Sequence, residues 1–400
     1  MRDMTAAANR AATGHAVVLA GVGVVAALNV GKLPPALNDL QHEFGLSLVQ
    51  VSWMLSLFLL GSALFGLVGG TLADRFDPRR VMIGGLLLTA LSGALGAWAP
   101  GASVLFASRA IESVAFTLTV LPAPALLRRT VPGASLRGWL GVWAAYLPTG
   151  MGAALFFTPT LMSWGGWRGA WTFCAVVAAF WALLVAATQP RSAARAESSA
   201  PVGALVFATL RLRGPWLLAL CFAFYAGQFT GIFGFLPTVY VEYGISAQLG
   251  ASLTAIAVMS NGGGGLAAGL LLQRGVDRST LIVVVGITMA VCAWLAFGSG
   301  VDFAWRYAAI VVLSTVGGLI PGTLFATAPF YAPSIAAVST TVGLMQQGSG
   351  IGQIVLPPVI AGLAQYSGGW SSTWIATGAA ALVTVVIGLM IRRYDAVRPR

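Results

Sequence analysis

Charged side chains are scarce in this amino-acid sequence. Asp, Glu, Lys and Arg together make up only 8% of its 400 residues, whereas 58% of the residues are hydrophobic and the mean hydropathy is +0.86. A soluble domain carries about 25% charged residues, because polar groups must cover its core. The composition therefore argues against a soluble enzyme, a soluble nucleic-acid-binding protein and a disordered chain. It predicts an integral membrane protein.

Cysteine and histidine are also rare. Cys174, Cys221 and Cys292 stand singly in apolar stretches, which argues against a disulfide framework or a C-x-x-C metal site. His15 and His42 are too few and too far apart for a metal site. The sequence also has no Ser/His/Asp set and no pair of catalytic carboxylates. We therefore predict no metal, no cofactor and no enzymatic activity.

Long apolar runs dominate the chain, and twelve of them reach the length of about 20 residues that spans a bilayer. The first continues past a signal-peptide core and has no convincing cleavage site, so we interpret it as a membrane helix. The predicted spans are 16–38, 49–73, 80–99, 102–126, 136–162, 167–188, 216–241, 247–271, 280–299, 303–327, 336–363 and 372–391.

The segment after the sixth run differs from the rest because it is rich in Arg, Ala and Ser. It divides the chain into an N-terminal six-helix bundle at 1–190, a cytoplasmic linker at 191–213 and a C-terminal six-helix bundle at 214–400. A short amphipathic piece falls around Leu205–Leu212. We expect a monomer embedded in the lipid bilayer.

The positive charges report the orientation of the chain. If the N-terminus is cytoplasmic, 18 of the 22 basic residues lie on the cytoplasmic side, and the opposite side has only Arg168 and Arg306. This asymmetry predicts cytoplasmic termini, and we expect a multi-pass protein of a bacterial inner membrane. The net charge of +11 is thus a topology signal, which disfavours nucleic acid as a partner.

The two halves repeat short segments. The paired segments are FGLS at Phe44–Ser47 with YGIS at Tyr243–Ser246, Gly70–Arg75 with Gly269–Arg274, and Trp164–Trp171 with Tyr366–Trp374. Two similar six-helix halves are a recurrent plan of transporters, with the substrate site near the midplane between them.

The loop after the second predicted helix resembles a motif of the major facilitator superfamily, G-x-L-a-D-r-x-G-r-k. Gly70–Arg80 reads GTLADRFDPRR, with Asp77-Pro78 in place of the usual Gly-Arg. The resemblance implies a twelve-helix fold in two bundles that works by alternating access. It also implies a gating role on the cytoplasmic side for Asp74, Arg75, Arg79 and Arg80. The alternative is that these residues only fix the topology.

Other segments extend the resemblance. Arg109–Ser113 (RAIES) is similar to the R-x-x-q-G motif of helix 4, whereas Gly141–Gly150 does not keep the glycine motif of antiporter helix 5. The helix 1 segment Asn29–Leu37 and the helix 7 ending Phe235–Tyr240 resemble the cyanate-permease-like branch, which handles small anions. The resemblance also implies that helices 1, 4, 7 and 10 line a central cavity.

Three charged residues fall inside predicted membrane spans, where each is a functional candidate. Lys32, the only lysine, and Arg109 lie at depths that agree to about one helical turn. Two cations on cavity-lining helices would bind an anion, with bidentate donors from Arg and a point charge from Lys. Glu112, one turn from Arg109, is the candidate for proton coupling.

Alternatives remain for each of these residues. Arg109 and Glu112 form only an internal salt bridge in one alternative. Lys32 extends to the membrane interface in another. Further polar or aromatic candidates for substrate binding lie at mid-depth, although each alone is more often a helix–helix hydrogen bond than a ligand contact. They are Asn29, Tyr146, Tyr225, Gln228, Asn261, Gln346 and Gln347.

The sequence therefore predicts a secondary transporter that moves a small anion by alternating access, with proton symport as the favoured coupling. An efflux carrier for drug-like compounds is the alternative within the same class. A polytopic membrane sensor is the alternative from a different class.

Overall fold

The computed structural model describes residues 2–72, 77–190 and 201–397, and in these ranges the regular structure is helical with no strand. Ten helical stretches in the described ranges are long and apolar enough to cross a membrane. One of them, Tyr146–Thr188, contains the non-helical residues Gly165 and Gly166 and is therefore two spans. The helix Val338–Ser367 is a further span of 30 residues, with Pro357 and Pro358 inside it. The predicted all-α fold with twelve spans is confirmed.

The spans are numbered α1 to α12 in chain order. Six are interrupted or extended. Of these, α1 is Arg2–Gly31 with Leu33–Phe44, α2 is Leu48–Leu57 with Leu60–Leu72, α4 is Ala102–Val120 with Ala123–Thr130, α9 is Arg278–Ala293 with the π-helical turn Trp294–Gly298, and α10 is Phe303–Gly317 with Leu319–Tyr331. The fifth span, α5, is Gly133–Ala144 with 146–164. The others are α3 at Pro78–Ala97, α6 at 167–188, α7 at Arg213–Glu242, α8 at Ala247–Gln273, α11 at Val338–Ser367 and α12 at Thr373–Val397.

Most helices are longer than the apolar runs that predicted them, because backbone hydrogen bonding continues into the polar ends. The first run was predicted at 16–38, whereas α1 extends to Phe44. The repeated Trp-Gly-Gly-Trp segment makes the turn between α5 and α6, where Gly166 has a φ of 60°. Only glycine adopts that conformation without strain.

The break in α1 has a direct cause in the sequence. Pro34 and Pro35 follow Lys32 and lack the backbone N–H groups that would bond to the carbonyls four residues earlier. Lys32 therefore stands between the two pieces of α1. In α2 a similar interruption separates Leu57 from Leu60.

The helices form two six-helix bundles. In the first, α1 packs along α5 and α6, and α3 packs between α4 and α6; in the second, α7 packs along α11 and α9 along α12. The bundles meet where α2 packs on α11 and α5 on α8. Glycine makes the first contact close, because a Cβ on Gly343 would lie 2.6 Å from the carbonyl oxygen of Gly66.

The membrane side at which α1 begins and α12 ends is called here the terminal side. On the opposite side the two bundles share one apolar core. Buried Leu37 of α1 and Leu55 of α2 belong to the same cluster as Phe233 and Leu236 of α7. The bundles are thus held together on that side by apolar packing.

The predicted linker, 191–213, is described from residue 201 onward. It contains the helix Val202–Arg211, which lies against α2, α7 and α11 and so contacts both bundles. Thr209 is the buried residue of this helix. The domain boundaries at 190 and 214 stay a prediction.

Candidate functional site

A cluster of three charged side chains lies inside the first bundle, formed by Lys32 of α1 and by Arg109 and Glu112 of α4. Each of the three residues is at most 1% exposed. Lys32 Nζ lies 2.7 Å from Glu112 Oε1, and Arg109 Nη1 lies 2.5 Å from Glu112 Oε2. One carboxylate therefore bridges two cations, each bound to a different oxygen. We refer to these three residues as the charged cluster.

Local helix geometry positions these groups. Arg109 and Glu112 are one turn apart and so point to the same face of α4. Asn29 lies one turn before Lys32 and accepts a hydrogen bond of 2.7 Å from Lys32 Nζ through its side-chain oxygen. The side-chain nitrogen of Asn29 donates to the carbonyl of Val25 at 3.1 Å, which fixes the amide orientation.

Arg109 also holds the two broken helices together. Its Nη1 donates to the backbone carbonyl of Asn29 at 3.0 Å, and its Nε donates to that of Met54 at 3.3 Å. At the α2 break the N–H of Phe58 bonds to Ser56 instead of Met54. The guanidinium thus binds carbonyls beside the interruptions of α1 and α2, while it remains paired with Glu112.

Ser113 explains one departure from the motif of helix 4. It stands where the resembled motif has Gly, and its hydroxyl oxygen accepts the backbone N–H of Gly61 at 2.5 Å. The serine therefore joins α4 to the second piece of α2, close to the charged cluster.

Aromatic rings cover the two cations. Lys32 Nζ lies 4.8 Å from the ring centroid of Trp171 in α6, and Arg109 Cζ lies 4.6 Å from that of Phe58 in α2. Such cation–π contacts offset part of the cost of burying a charge. With Glu112 ionised, the cluster carries one net positive charge in a region shielded from water. Lys32 does not reach the membrane interface in this arrangement.

The sequence predicts that Lys32 and Arg109 lie at similar depths in the membrane. In the structure both side chains form ion pairs with Glu112. The bond between Lys32 and Glu112 was missed, because helical spacing relates residues of one helix and not residues of α1 to those of α4. Trp171 and Phe58 were missed too. The one feature of the sequence that singles out Trp171 is its place in the repeated segment Trp164–Trp171.

The second bundle contributes neutral polar groups. Asn261 of α8 donates to the hydroxyl oxygen of Tyr225 in α7 at 2.9 Å and to the backbone carbonyl of Ser314 in α10 at 2.8 Å. Gln228 of α7 is fully buried, and neither its amide nitrogen nor its amide oxygen has a hydrogen-bond partner. The amide oxygen of Gln347 in α11 is likewise buried and unpaired.

The remaining candidates are dispersed. The ring of Tyr146 in α5 stacks on Trp143 with 4.8 Å between the ring centroids. Its centroid lies 6.5 Å from that of the Phe116 ring in α4. Gln346 is half-buried in α11. The structure thus joins Asn29 to the charged cluster and Tyr225 to Asn261, but it does not bring these two groups into contact with each other.

Two of the predicted gating residues, Asp74 and Arg75, lie outside the described residues. Arg79 donates to the backbone carbonyls of Gln189 at 2.9 Å and Ala186 at 2.5 Å, at the end of α6. It therefore satisfies carbonyls that a helix end leaves unpaired. Arg80 is 84% exposed and lies 3.7 Å from Asp77.

The Asp77-Pro78 departure from the family motif is explained by helix capping. Asp77 is the N-cap of α3 and accepts the backbone N–H of Arg79 at 3.1 Å, and Pro78 stands in the first turn. Acidic caps and N-terminal proline favour a helix start. Asp277 caps α9 in the second half in the same way.

The described residues hold no group of three or more His, Cys, Asp or Glu that could bind a metal ion. The three cysteines are buried and unpaired. Of these, Cys174 of α6 lies near all three members of the charged cluster. The charged cluster itself offers ion pairing and hydrogen bonding.

Comparisons with known proteins agree with this architecture. The chain is 27% identical over 372 residues to the cyanate transport protein CynX of Escherichia coli, a match that covers 89% of this chain and 90% of that protein. It is 28% identical over 347 residues to the probable nitrate/nitrite transporter NarK2 of Mycobacterium tuberculosis, covering 82% and 83%. The multidrug transporter mfsC of Aspergillus fumigatus is 28% identical over 174 residues, which is 34% of its length.

The fold is similar to that of a bacterial homologue of the lysosomal transporter Spinster. The TM-score is 0.78 at 16% identity, and the match covers 96% of this chain and 97% of that one. The profile of the Major Facilitator Superfamily matches residues 19–347. The chain therefore belongs to the Major Facilitator Superfamily of membrane transporters.

Proposed function

We propose that this protein is a secondary transporter that carries a small anion across the membrane and couples its movement to protons. The observation that carries the proposal is the bridging of Lys32 and Arg109 by the single carboxylate of Glu112, at 2.7 and 2.5 Å. Buried charges within membrane spans are costly and mark substrate or proton pathways. A cluster with two cations and one anion retains a positive charge for a substrate anion.

The chemistry of the two cations suits a small oxyanion or carboxylate. Arg109 supplies planar donors and Lys32 a compact charge. The names of two relatives, a cyanate transport protein and a probable nitrate/nitrite transporter, are consistent with this class of substrate. Asn29 completes the set of polar groups at the cations, since it bonds to Lys32 Nζ.

The second bundle would contact the anion through neutral groups. Gln228 is the strongest candidate, because an amide with two unpaired polar atoms in a buried position lacks the partner that such groups normally have. The further proposed contacts of this bundle are Tyr225, Asn261, Gln346 and Gln347, and Tyr146 of α5 is a proposed contact from the first bundle. These residues would close around the anion when the bundles move.

Alternating access supplies that movement in the proposal. The bundles contact each other through α2 with α11 and α5 with α8, and an apolar core closes the side opposite to the termini. Asp74, Arg75, Arg79 and Arg80 would control the terminal side, which we propose to be cytoplasmic. The protein would act as a monomer in a bacterial inner membrane.

Counterflow in proteoliposomes tests the proposal. Proteoliposomes that contain the wild-type protein are loaded with cyanate, nitrate or 3-(3-hydroxyphenyl)propionate. Ethidium is tested in the same way as a cationic drug-like compound. We expect exchange of at least one anion, and its loss in Lys32→Ala and Arg109→Ala. Arg393→Ala is the matched control, since this arginine is exposed. Unchanged exchange in both cluster variants rejects their role, and transport of ethidium alone supports the efflux alternative.

A further inference from the structure

Glu112 occupies, in this structure, the positions beside both cations at which an anion would bind. Building on the proposed function, we propose that Glu112 is a tethered occupant of the anion site. The incoming anion displaces its carboxylate, and Glu112 takes up one proton for each monovalent anion bound. Proton uptake and anion binding are then a single event at one site.

The acceptors around the cations differ in their freedom to leave. Arg109 donates to the backbone carbonyls of Asn29 and Met54, which are fixed by their helices. Lys32 donates to the neutral side chain of Asn29. Glu112 is the acceptor that is both anionic and carried on a rotatable side chain. An anion that competes for the same donors will therefore displace Glu112 first.

A Glu112 carboxylate that is displaced by the anion loses its ion pairs with the two cations. Among the described residues, the titratable groups that face it are Lys32 from α1, Arg109 from α4 and the Cys174 thiol from α6. The second helix presents a carbonyl and the ring of Phe58 to this cluster. An ionised carboxylate without a counter-charge is strongly disfavoured in a buried site. Protonation of one Glu112 oxygen removes that charge.

The charge of the site is the same before and after this exchange. The empty cluster has two cations and one carboxylate, for a net charge of +1. The loaded cluster has two cations, a neutral Glu112 and one monovalent anion, again +1. The proton moves from solution to Glu112, and no other group changes its charge. Transport of a monovalent anion with one proton is therefore electroneutral in this scheme.

The alternative is that the anion binds beside an ionised Glu112, which would make the loaded cluster neutral without proton uptake. The two schemes differ in a direct measurement on wild-type protein. Purified transporter in detergent is mixed with nitrate, cyanate or 3-(3-hydroxyphenyl)propionate in weak buffer with a pH indicator, and anion binding is measured in parallel.

We expect one proton to be taken up per bound anion at alkaline pH. The anion affinity should fall about tenfold per pH unit there, since linkage makes proton and anion binding reciprocal. Glu112→Gln should bind anion with no proton uptake and with an affinity that does not depend on pH. Glu242→Gln, an exposed acid at the end of α7, is the control and should behave as wild type.

The wild-type measurement keeps the test valid if Glu112→Gln fails to fold. Anion binding without proton uptake, at an affinity independent of pH, overturns the inference and leaves the proposed function intact. Loss of anion binding in well-folded Glu112→Gln also overturns it, because the carboxylate would then be needed rather than displaced. Absence of binding of all three anions to wild type rejects the proposed function itself.

Discussion

Lys32 and Glu112 are 80 positions apart in the chain, and their side chains meet at 2.7 Å inside the first bundle. The contact joins α1, at the point where it is interrupted, to the middle of α4. Because Glu112 also binds Arg109, its removal affects two cations at once.

Glu112→Ala should destabilise the protein more than Arg109→Ala. The first change leaves two like charges buried without a counter-charge, whereas the second leaves the neutral pair of Lys32 and Glu112. Removal of one partner from a buried pair costs about 3–5 kcal/mol. Thermal unfolding in detergent measures the difference, with Glu242→Ala as the exposed control. Equal melting temperatures for the two variants would contradict the bridging role of Glu112.

The double variant Arg109→Ala with Glu112→Ala separates pairing from substrate binding. It leaves Lys32 as a single buried charge and should be more stable than Glu112→Ala alone. Anion uptake should stay lost, because one of the two receptor cations is gone. If uptake returns in the double variant, then pairing with Glu112 is the sole role of Arg109.

Gln228→Leu should lower anion uptake without loss of stability. Both polar atoms of this buried amide lack hydrogen-bond partners, so an apolar side chain of similar size removes an unsatisfied group. The control is Gln353→Leu, which loses the bonds of this residue with Thr230 at 2.6 Å and Ser349 at 2.9 Å and should destabilise the protein. Proteoliposome uptake and melting temperature are measured together. Wild-type uptake by Gln228→Leu would remove this residue from the site.

The sequence predicts the membrane fold well because burial in lipid constrains composition over long stretches. Apolar run length gave the twelve spans, and rarity of charge pointed to Lys32, Arg109 and Glu112. Run length cannot show where a helix breaks, so the interruption at Lys32 was not predicted even though Pro34 and Pro35 cause it. The sequence also cannot predict side-chain partners on other helices, since the ion pair of Lys32 with Glu112 depends on how α1 packs against α4.

The capping of α9 gives a prediction about helix ends and pH. Asp277 accepts the backbone N–H groups of Ser279 at 3.0 Å and Thr280 at 3.1 Å, and the hydroxyl of Ser279 also donates to it. Partial burial would raise the pKa of Asp277, but these hydrogen bonds outweigh burial and lower it below its usual value. Asp277→Ala should cost about 1 kcal/mol at neutral pH.

The sign of the pH effect follows from the direction of this shift. A carboxylate with a lowered pKa in the folded state stabilises fully above its unfolded pKa of about 3.9. That contribution is lost as the pH falls through the folded value. The gap in melting temperature between wild type and Asp277→Ala should therefore narrow in acid. Asp302→Ala is the control, because Asp302 starts α10 without a side-chain cap bond; a comparable loss in that variant would contradict the capping role of Asp277.

Gly343→Ala should slow transport by disturbing the contact between the bundles. A Cβ at Gly343 of α11 would lie 2.6 Å from the carbonyl oxygen of Gly66 in α2, which is closer than packed atoms allow. Overpacking of this kind costs about 1–3 kcal/mol, and here it acts on the arrangement in which α2 and α11 are in contact. Gly263→Ala is the matched control, since a Cβ there meets no atom within 4 Å. The initial rate of anion uptake should fall in Gly343→Ala and stay at the wild-type level in Gly263→Ala. Equal rates in both variants would show that the close approach of α2 and α11 plays no part in the transport cycle.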